Sequence, residues 1–184
     1  MEAPQSRGKN FAMSAWRWPA VIKYLKTGAI FSEDGKYRYD LSRIWREGGQ
    51  RINFIGLNPS TANKETDDPT IRRCVKFAES WGYGEMHMLN LFAYVSSDPQ
   101  ALLFPNPDPV GPENDNFIKS LDMPIVIAWG SWGKLWANKK NSRAEEVVRF
   151  IHENGYIPWC LGVNPDGEPK HPLYLLATTK LERY

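Results

Sequence analysis

The apolar run Ile52-Asn53-Phe54-Ile55 is followed by Gly56-Leu57-Asn58-Pro59-Ser60-Thr61. Core packing does not ask for an amide, a proline and two hydroxyls at the end of a buried strand. An asparagine side chain offers donors and an acceptor together, which suits an amide-edged ligand such as a nucleobase, and it can orient a water. Pro59 stiffens the turn that aims Asn58. The main-chain N–H groups around Ser60 and Thr61 can cradle an anion.

Five further groups of residues could carry chemistry. In Glu65-Thr66-Asp67-Asp68-Pro69, one of Asp67 and Asp68 suits a helix cap and the other is a candidate general base. Arg72 and Arg73 stand at that helix start, where cations oppose the macrodipole, so Arg72 is a candidate phosphate or carboxylate contact. Asn90 and Phe92 end a second apolar run, and Trp129 and Gly130 end a third. Last comes Lys170-His171-Pro172, in which the imidazole titrates near neutrality and can donate to a developing negative charge. Each has a plainer alternative. Asn58 also fits an Asx turn, Asn90 a buried amide tying two loops, and His171 a ring bonded to a carbonyl. His87 and His152 read as structural.

The elements that must position these groups follow from pattern. Residues 29–45 read as two short strands around Asp34-Gly35, a strong hairpin signal. Continuous apolar strands are expected at 52–57, 86–92, 124–130 and 156–162, with a short further element at 171–176. Helices are expected at 68–84, 111–121 and 142–155. The first has Pro69 in its opening turn and an apolar face of Ile71, Cys74, Val75 and Ala78. Apolar strands alternating with helices imply parallel strands covered on both faces. The expected fold class is therefore α/β: a three-layer α/β/α domain over residues 15–184, with a central, mostly parallel sheet and the N-terminal β-hairpin at one edge. Residues 1–14 read as a flexible tail. Ligands of such sheets bind beyond the carboxyl ends of the strands. The polar residues named above fall at those ends, so four distant segments should meet in one crevice.

Composition limits the function classes. The chain has 184 residues, 42% of them apolar and 24% charged, as in an ordinary globular protein. No run of about 18 apolar residues occurs, so no membrane span is expected. The two cysteines, Cys74 and Cys160, do not make a disulfide scaffold, and a cytoplasmic location with reduced thiols is expected. The two Cys and three His lack metal-ligand spacing, so no metal is expected. No P-loop, dinucleotide fingerprint or nucleophile elbow occurs, and no cofactor is expected. Residues 1–51 hold ten Lys/Arg against five Asp/Glu, a basic region that could meet phosphates.

The words LNPSTANKETDDPTIRRC, NLFAYVSSDP, GPENDN, AWG and GEPKHPLYL together resemble the domain-of-unknown-function family 1643 of bacteria and phages, from about Tyr37 to Leu176. The order GLNP, P-x-x-R, NLF, IVIAWG, HPL more distantly resembles the uracil-DNA glycosylase superfamily. That resemblance implies an α/β/α fold, a water placed by Asn58, a base read by Asn90, and a departing base anion stabilised by His171 in a loop with Pro172. Leu173 stands where the superfamily loop has serine, and Ser60 where a glycine usually follows Asn-Pro.

The functional expectation is a protein that binds a nucleobase, nucleotide or nucleic acid in this crevice, as a glycosylase-like hydrolase of the N-glycosidic bond. Asn58, Asp67, Asp68 and His171 would carry the chemistry. Pro59, Ser60, Thr61, Arg72, Asn90, Phe92, Trp129, Gly130, Lys170 and Pro172 would form the binding surface, with Phe92 or Trp129 stacking on the base. Two alternatives stand beside it. One is a non-catalytic module that reads nucleic acid or a partner through Arg38, Arg43 and Arg46. The other is a transferase acting on modified nucleotides.

Overall fold

A computed structural model describes residues 22–104, 106–134 and 142–184. The expected tail at 1–14 lies outside the described residues.

The chain forms an α/β fold around one seven-stranded mixed sheet. The strands are β1 (Lys26–Phe31), β2 (Arg38–Ile44), β3 (Arg51–Gly56), β4 (Glu85–Asn90), β5 (Ile125–Ile127), β6 (Trp159–Cys160) and β7 (Glu182–Arg183). They lie in the order β1-β2-β4-β3-β5-β6-β7. The inner four, β4-β3-β5-β6, are mutually parallel. The β1–β2 hairpin joins antiparallel at one edge, and β7 adds an antiparallel strand at the other. The sheet is thus evenly mixed, where a mostly parallel one was expected.

Helix α1 (Pro69–Ser80) starts where its proline and cap residue direct. The Asp68 carboxylate accepts from the Ile71 N–H at 2.8 Å, and Pro69 occupies the first turn, where no N–H is needed. Helix α2 (Asn114–Lys119) is short. Helix α3 (Arg143–Glu153) opens on a capping box in which Ser142 and Glu145 satisfy each other's backbone N–H.

Alternation along the strands sorts the core. Ile52, Phe54, Met86, Met88, Val126 and Ala128 pack with Ile71, Cys74, Val75 and Ala78 of α1. Ile55, Leu89, Leu91, Ile125 and Ile127 pack with Ile118 of α2 and Val147 and Ile151 of α3. Side chains in this set are almost fully buried, which is where apolar burial of ~25 cal/mol per Å² accumulates.

One irregularity bears on function. The β1–β2 register steps from Ile30↔Asp40 to Phe31↔Arg38 and leaves Tyr39 unpaired. Such a bulge re-aims the side chains around it. Tyr39 stacks on Phe117 of α2 at 5.1 Å, although Leu41, two residues on, packs with α1. Arg38 points instead toward the α1 side, where its guanidinium donates to Ala62 O at 2.7 Å.

Candidate functional site

The crevice lies beyond the carboxyl ends of the parallel strands, beside the start of α1. It has a volume of about 600 Å³. Five segments wall it: Gly56, Leu57, Asn58 and Ser60 at the end of β3, Asp68, Thr70 and Ile71 at α1, Met88 and Asn90 on β4, Trp129 to Trp132 after β5, and Asn164 with Lys170, His171, Tyr174 and Leu175 beyond β6. Arg38 of β2 also lines it, with Ser96, Ser97 and Pro99. Of the residues expected from sequence, Asn58, Ser60, Asp68, Asn90, Trp129, Gly130, Lys170 and His171 border this space. Asp67, Pro59, Thr61, Arg72, Phe92 and Pro172 do not.

Asn58 is fixed by its amide nitrogen. Nδ2 donates to Ser96 O at 2.7 Å, to Pro59 O at 3.0 Å and more weakly to Tyr94 O at 3.5 Å. These bonds clamp the β3 loop to the segment after β4. No described residue donates to Oδ1, so that oxygen remains an acceptor at the crevice.

Asn90 is 3% exposed, and its Nδ2 has no hydrogen-bond partner among the described residues. Its Oδ1 lies over Gly56, where a Cβ would come within 2.9 Å, so any larger residue at 56 would push the amide aside. The end of β4 is held from beneath. Asn114 Nδ2 donates to the carbonyls of Asn90 and Leu91, and Arg143 Nε donates to Leu91 O at 3.0 Å. This is the local reason for Gly-Pro-Glu-Asn-Asp-Asn at 111–116: its buried Asn114 anchors the strand that carries Asn90.

His171 is half-buried beside Gly130, whose φ of 73° favours glycine and where a Cβ would come within 3.3 Å of the His171 Cβ. Its Nδ1 accepts from the Leu173 N–H at 3.3 Å. The neutral ring therefore carries its proton on Nε2. Burial pushes the imidazole pKa below its ordinary value, against an opposing pull from Asp68. The ring is a neutral donor at pH 7.

Several expected roles are corrected. Asp67 is a structural carboxylate: it accepts from Arg43 Nε at 2.7 Å and from the Tyr24 hydroxyl at 2.5 Å, away from the crevice. Asp68 is the helix cap, with Oδ1 committed to Ile71. Arg72 is exposed and donates to Asp67 O, which answers why a cation sits at that helix start. Thr61 is exposed outside the crevice, and Pro59 and Pro172 are buried. Phe92 is fully buried and cannot stack on a ligand. The extended run continues past β4, with Leu91 N and Phe92 N donating to Gly56 O and Leu57 O, and this turns the ring into the core. Trp129 is 1% exposed and its indole N–H is bonded to Glu168, whereas Trp132 and Tyr174 are exposed at the crevice wall.

The basic-surface alternative is also altered. Arg38 and Arg43 are 2% and 1% exposed. Arg43 pairs with Asp67 and donates to Asn63 O at 2.6 Å. Of the three arginines, only Arg46 is exposed, and it donates to Gly82 O.

Sequence reasoning missed Arg38 and Glu168 as parts of this region. Only the bulge at Tyr39 brings Arg38 to the crevice, and no residue type signals that bulge. Glu168 lies in an exposed-looking loop sequence, yet it is buried against Trp129. Among the described residues no cluster of three His, Cys, Asp or Glu could hold a metal ion. No helix among them is long and apolar enough to cross a membrane.

The α/β sheet thus carries an amide-lined crevice at the carboxyl ends of its parallel strands, the place where open α/β sheets commonly hold ligands. The model of the family described as protein of unknown function (DUF1643) matches residues 38–173, and the chain belongs to that family. No curated protein and no solved structure matches the chain.

Proposed function

We propose that the crevice binds the base of a nucleotide or nucleic acid and that the protein hydrolyses its N-glycosidic bond, as a cytoplasmic enzyme with a uracil-DNA glycosylase-like three-layer arrangement. Two things support the arrangement: the separate packing of α1 and of α2 with α3 on alternate strand residues, and the motif order GLNP, NLF, AWG, HPL. The observation that carries the function is the meeting of Asn58, Asn90 and His171, from segments far apart in the chain, around one cavity.

Glycosidic hydrolysis builds positive charge on the sugar and negative charge on the departing base. Asn58 Oδ1 accepts from the attacking water and orients it. The Asp68 carboxylate, in the same wall, favours the developing cation. His171 Nε2–H donates to the base anion, and a neutral donor matches a weakly basic leaving group without a full proton transfer. Asn90 Nδ2 supplies a donor to a base carbonyl, which explains why a buried amide N–H stands unpartnered. Trp132 and Tyr174 flank an extruded base if the substrate is polymeric.

One observation favours binding without turnover. The Asn58 amide is spent on three backbone carbonyls, so this residue also has a purely architectural use. Chromatography of free base released from a panel of deaminated and alkylated DNA and nucleotides separates the two. Release by wild type supports hydrolysis. Absence of release from a folded protein that still binds the substrates supports the binding module, and base exchange without net hydrolysis points to a transferase.

A further inference from the structure

Arg38 is the least expected residue of the crevice. It is 2% exposed, it forms no ion pair with a described carboxylate, and its Nε has no hydrogen-bond partner among the described residues. The one hydrogen bond of its guanidinium among the described residues runs to the backbone oxygen of Ala62. A buried guanidinium is costly unless paired, and five donors in a fixed fork suit an oxyanion. Burial draws its pKa down to about 10, which leaves it charged at neutral pH.

The other charged residues lining the same cavity are Lys170 and Asp68, with His171 neutral. Lys170 forms no ion pair with a described carboxylate, and its stem packs along Gly162, where a Cβ would lie 3.2 Å from Cδ. Asp68 is a helix cap, and its field acts on Arg38 without contact. The cavity therefore holds two cations against one committed carboxylate.

We infer that the crevice contains an anion subsite built on Arg38 and assisted by Lys170, and that its ligand carries a phosphate group, as a nucleotide does, in addition to the base. The anion subsite stands on Arg38 and Lys170, whereas the assignment of the rest of the ligand as a nucleotide rests on the function proposed above. The bulge at Tyr39 is then a device for delivering a cation to the strand ends.

The test titrates inorganic phosphate against the intact chain, followed by tryptophan fluorescence, with Trp132 in the cavity wall as reporter. Competition follows with nucleoside 5′-monophosphates, the matching nucleosides, and a short single-stranded oligonucleotide. Saturable phosphate binding is expected, displaced by monophosphates at least about tenfold more effectively than by nucleosides. Arg38→Gln should weaken phosphate binding about tenfold or more. Should Arg38→Gln fail to fold, Lys170→Glu, on a partly exposed loop, must abolish the binding. No saturable phosphate binding by folded wild type, or binding unchanged in either folded variant, overturns the subsite. Displacement by the oligonucleotide but not by monophosphates overturns the free-nucleotide assignment. Phosphate binding without base release would leave the subsite standing and remove the glycosidic reading, so the two can fail separately.

Discussion

Trp129 Nε1 donates to Glu168 Oε2 at 2.7 Å, and both side chains are buried. This bond ties the end of β5 to the hairpin in which Val163 bridges Pro169, and Lys170 and His171 follow directly. Gly133 closes over it: a Cβ there would come within 2.3 Å of both bonded atoms. Burial raises the Glu168 pKa, and the Trp129 hydrogen bond only partly opposes this. Glu168→Ala leaves an indole N–H buried without a partner and should cost about 2 to 3 kcal/mol. Glu168→Gln keeps an acceptor and should cost less than half of that. Thermal melts of the two variants check the order, and equal losses would contradict it.

The Arg43–Asp67 pair sets a second prediction. It joins a buried guanidinium to a partly buried carboxylate that Tyr24 also holds, so removing one partner strands the other charge. Arg43→Met should destabilise the chain by about 3 to 5 kcal/mol. At roughly 2 to 4 °C per kcal/mol for this chain length, the midpoint should fall by about 6 °C or more. A surface arginine that only contacts phosphates would leave the midpoint unmoved.

His87 gives a pH dependence of stability. Its Nδ1 lies 2.9 Å from Asp40 and its Nε2 2.8 Å from Glu85, which also accepts from Arg51. Burial lowers the imidazole pKa, but hydrogen bonding and attraction from Asp40, with help from Glu85, outweigh it, and the net shift is upward. The folded state then binds the proton more tightly than the unfolded one. The stabilisation is full below the ordinary pKa of 6.5 and is lost as pH rises through the folded value. Denaturant midpoints between pH 5 and pH 9 (roughly the window around an ordinary histidine) should show this loss in wild type and not in His87→Gln.

His171 predicts the opposite sign. Its folded pKa is depressed, mainly by burial. Protonation therefore favours the unfolded chain, and it also removes the neutral Nε2 donor state. Base release should be flat through neutrality and fall only below the ordinary pKa of 6.5. A rate that rises as pH drops from 7 to 5 would contradict a neutral donor.

The sheet and its crevice were partly legible in the sequence because strand ends carry their own signals. The break from Ile55 to Asn58 marked the mouth of the cavity, and Pro69 with Asp68 marked the start of α1. Other features depend on distant partners. β6 is only two residues long, inside the longer strand expected at 156–162, and β7 is a polar pair, Glu182 and Arg183, with no periodicity to read. The Tyr39 bulge shows in no residue type, yet it decides that Arg38 lines the crevice. Asp67 looked like a general base because its two structural partners, Tyr24 and Arg43, lie more than 20 residues away. Phe92 looked like a stacking surface because an apolar run does not reveal where its last side chain turns.

The most direct test of the account measures free base released by wild type, Asn58→Ala and His171→Gln, all verified as folded, from the same panel of deaminated and alkylated nucleotides and DNA. The account predicts release by wild type and a fall of about a hundredfold or more in each variant. No release by wild type from any substrate, or equal release by all three proteins, would contradict it.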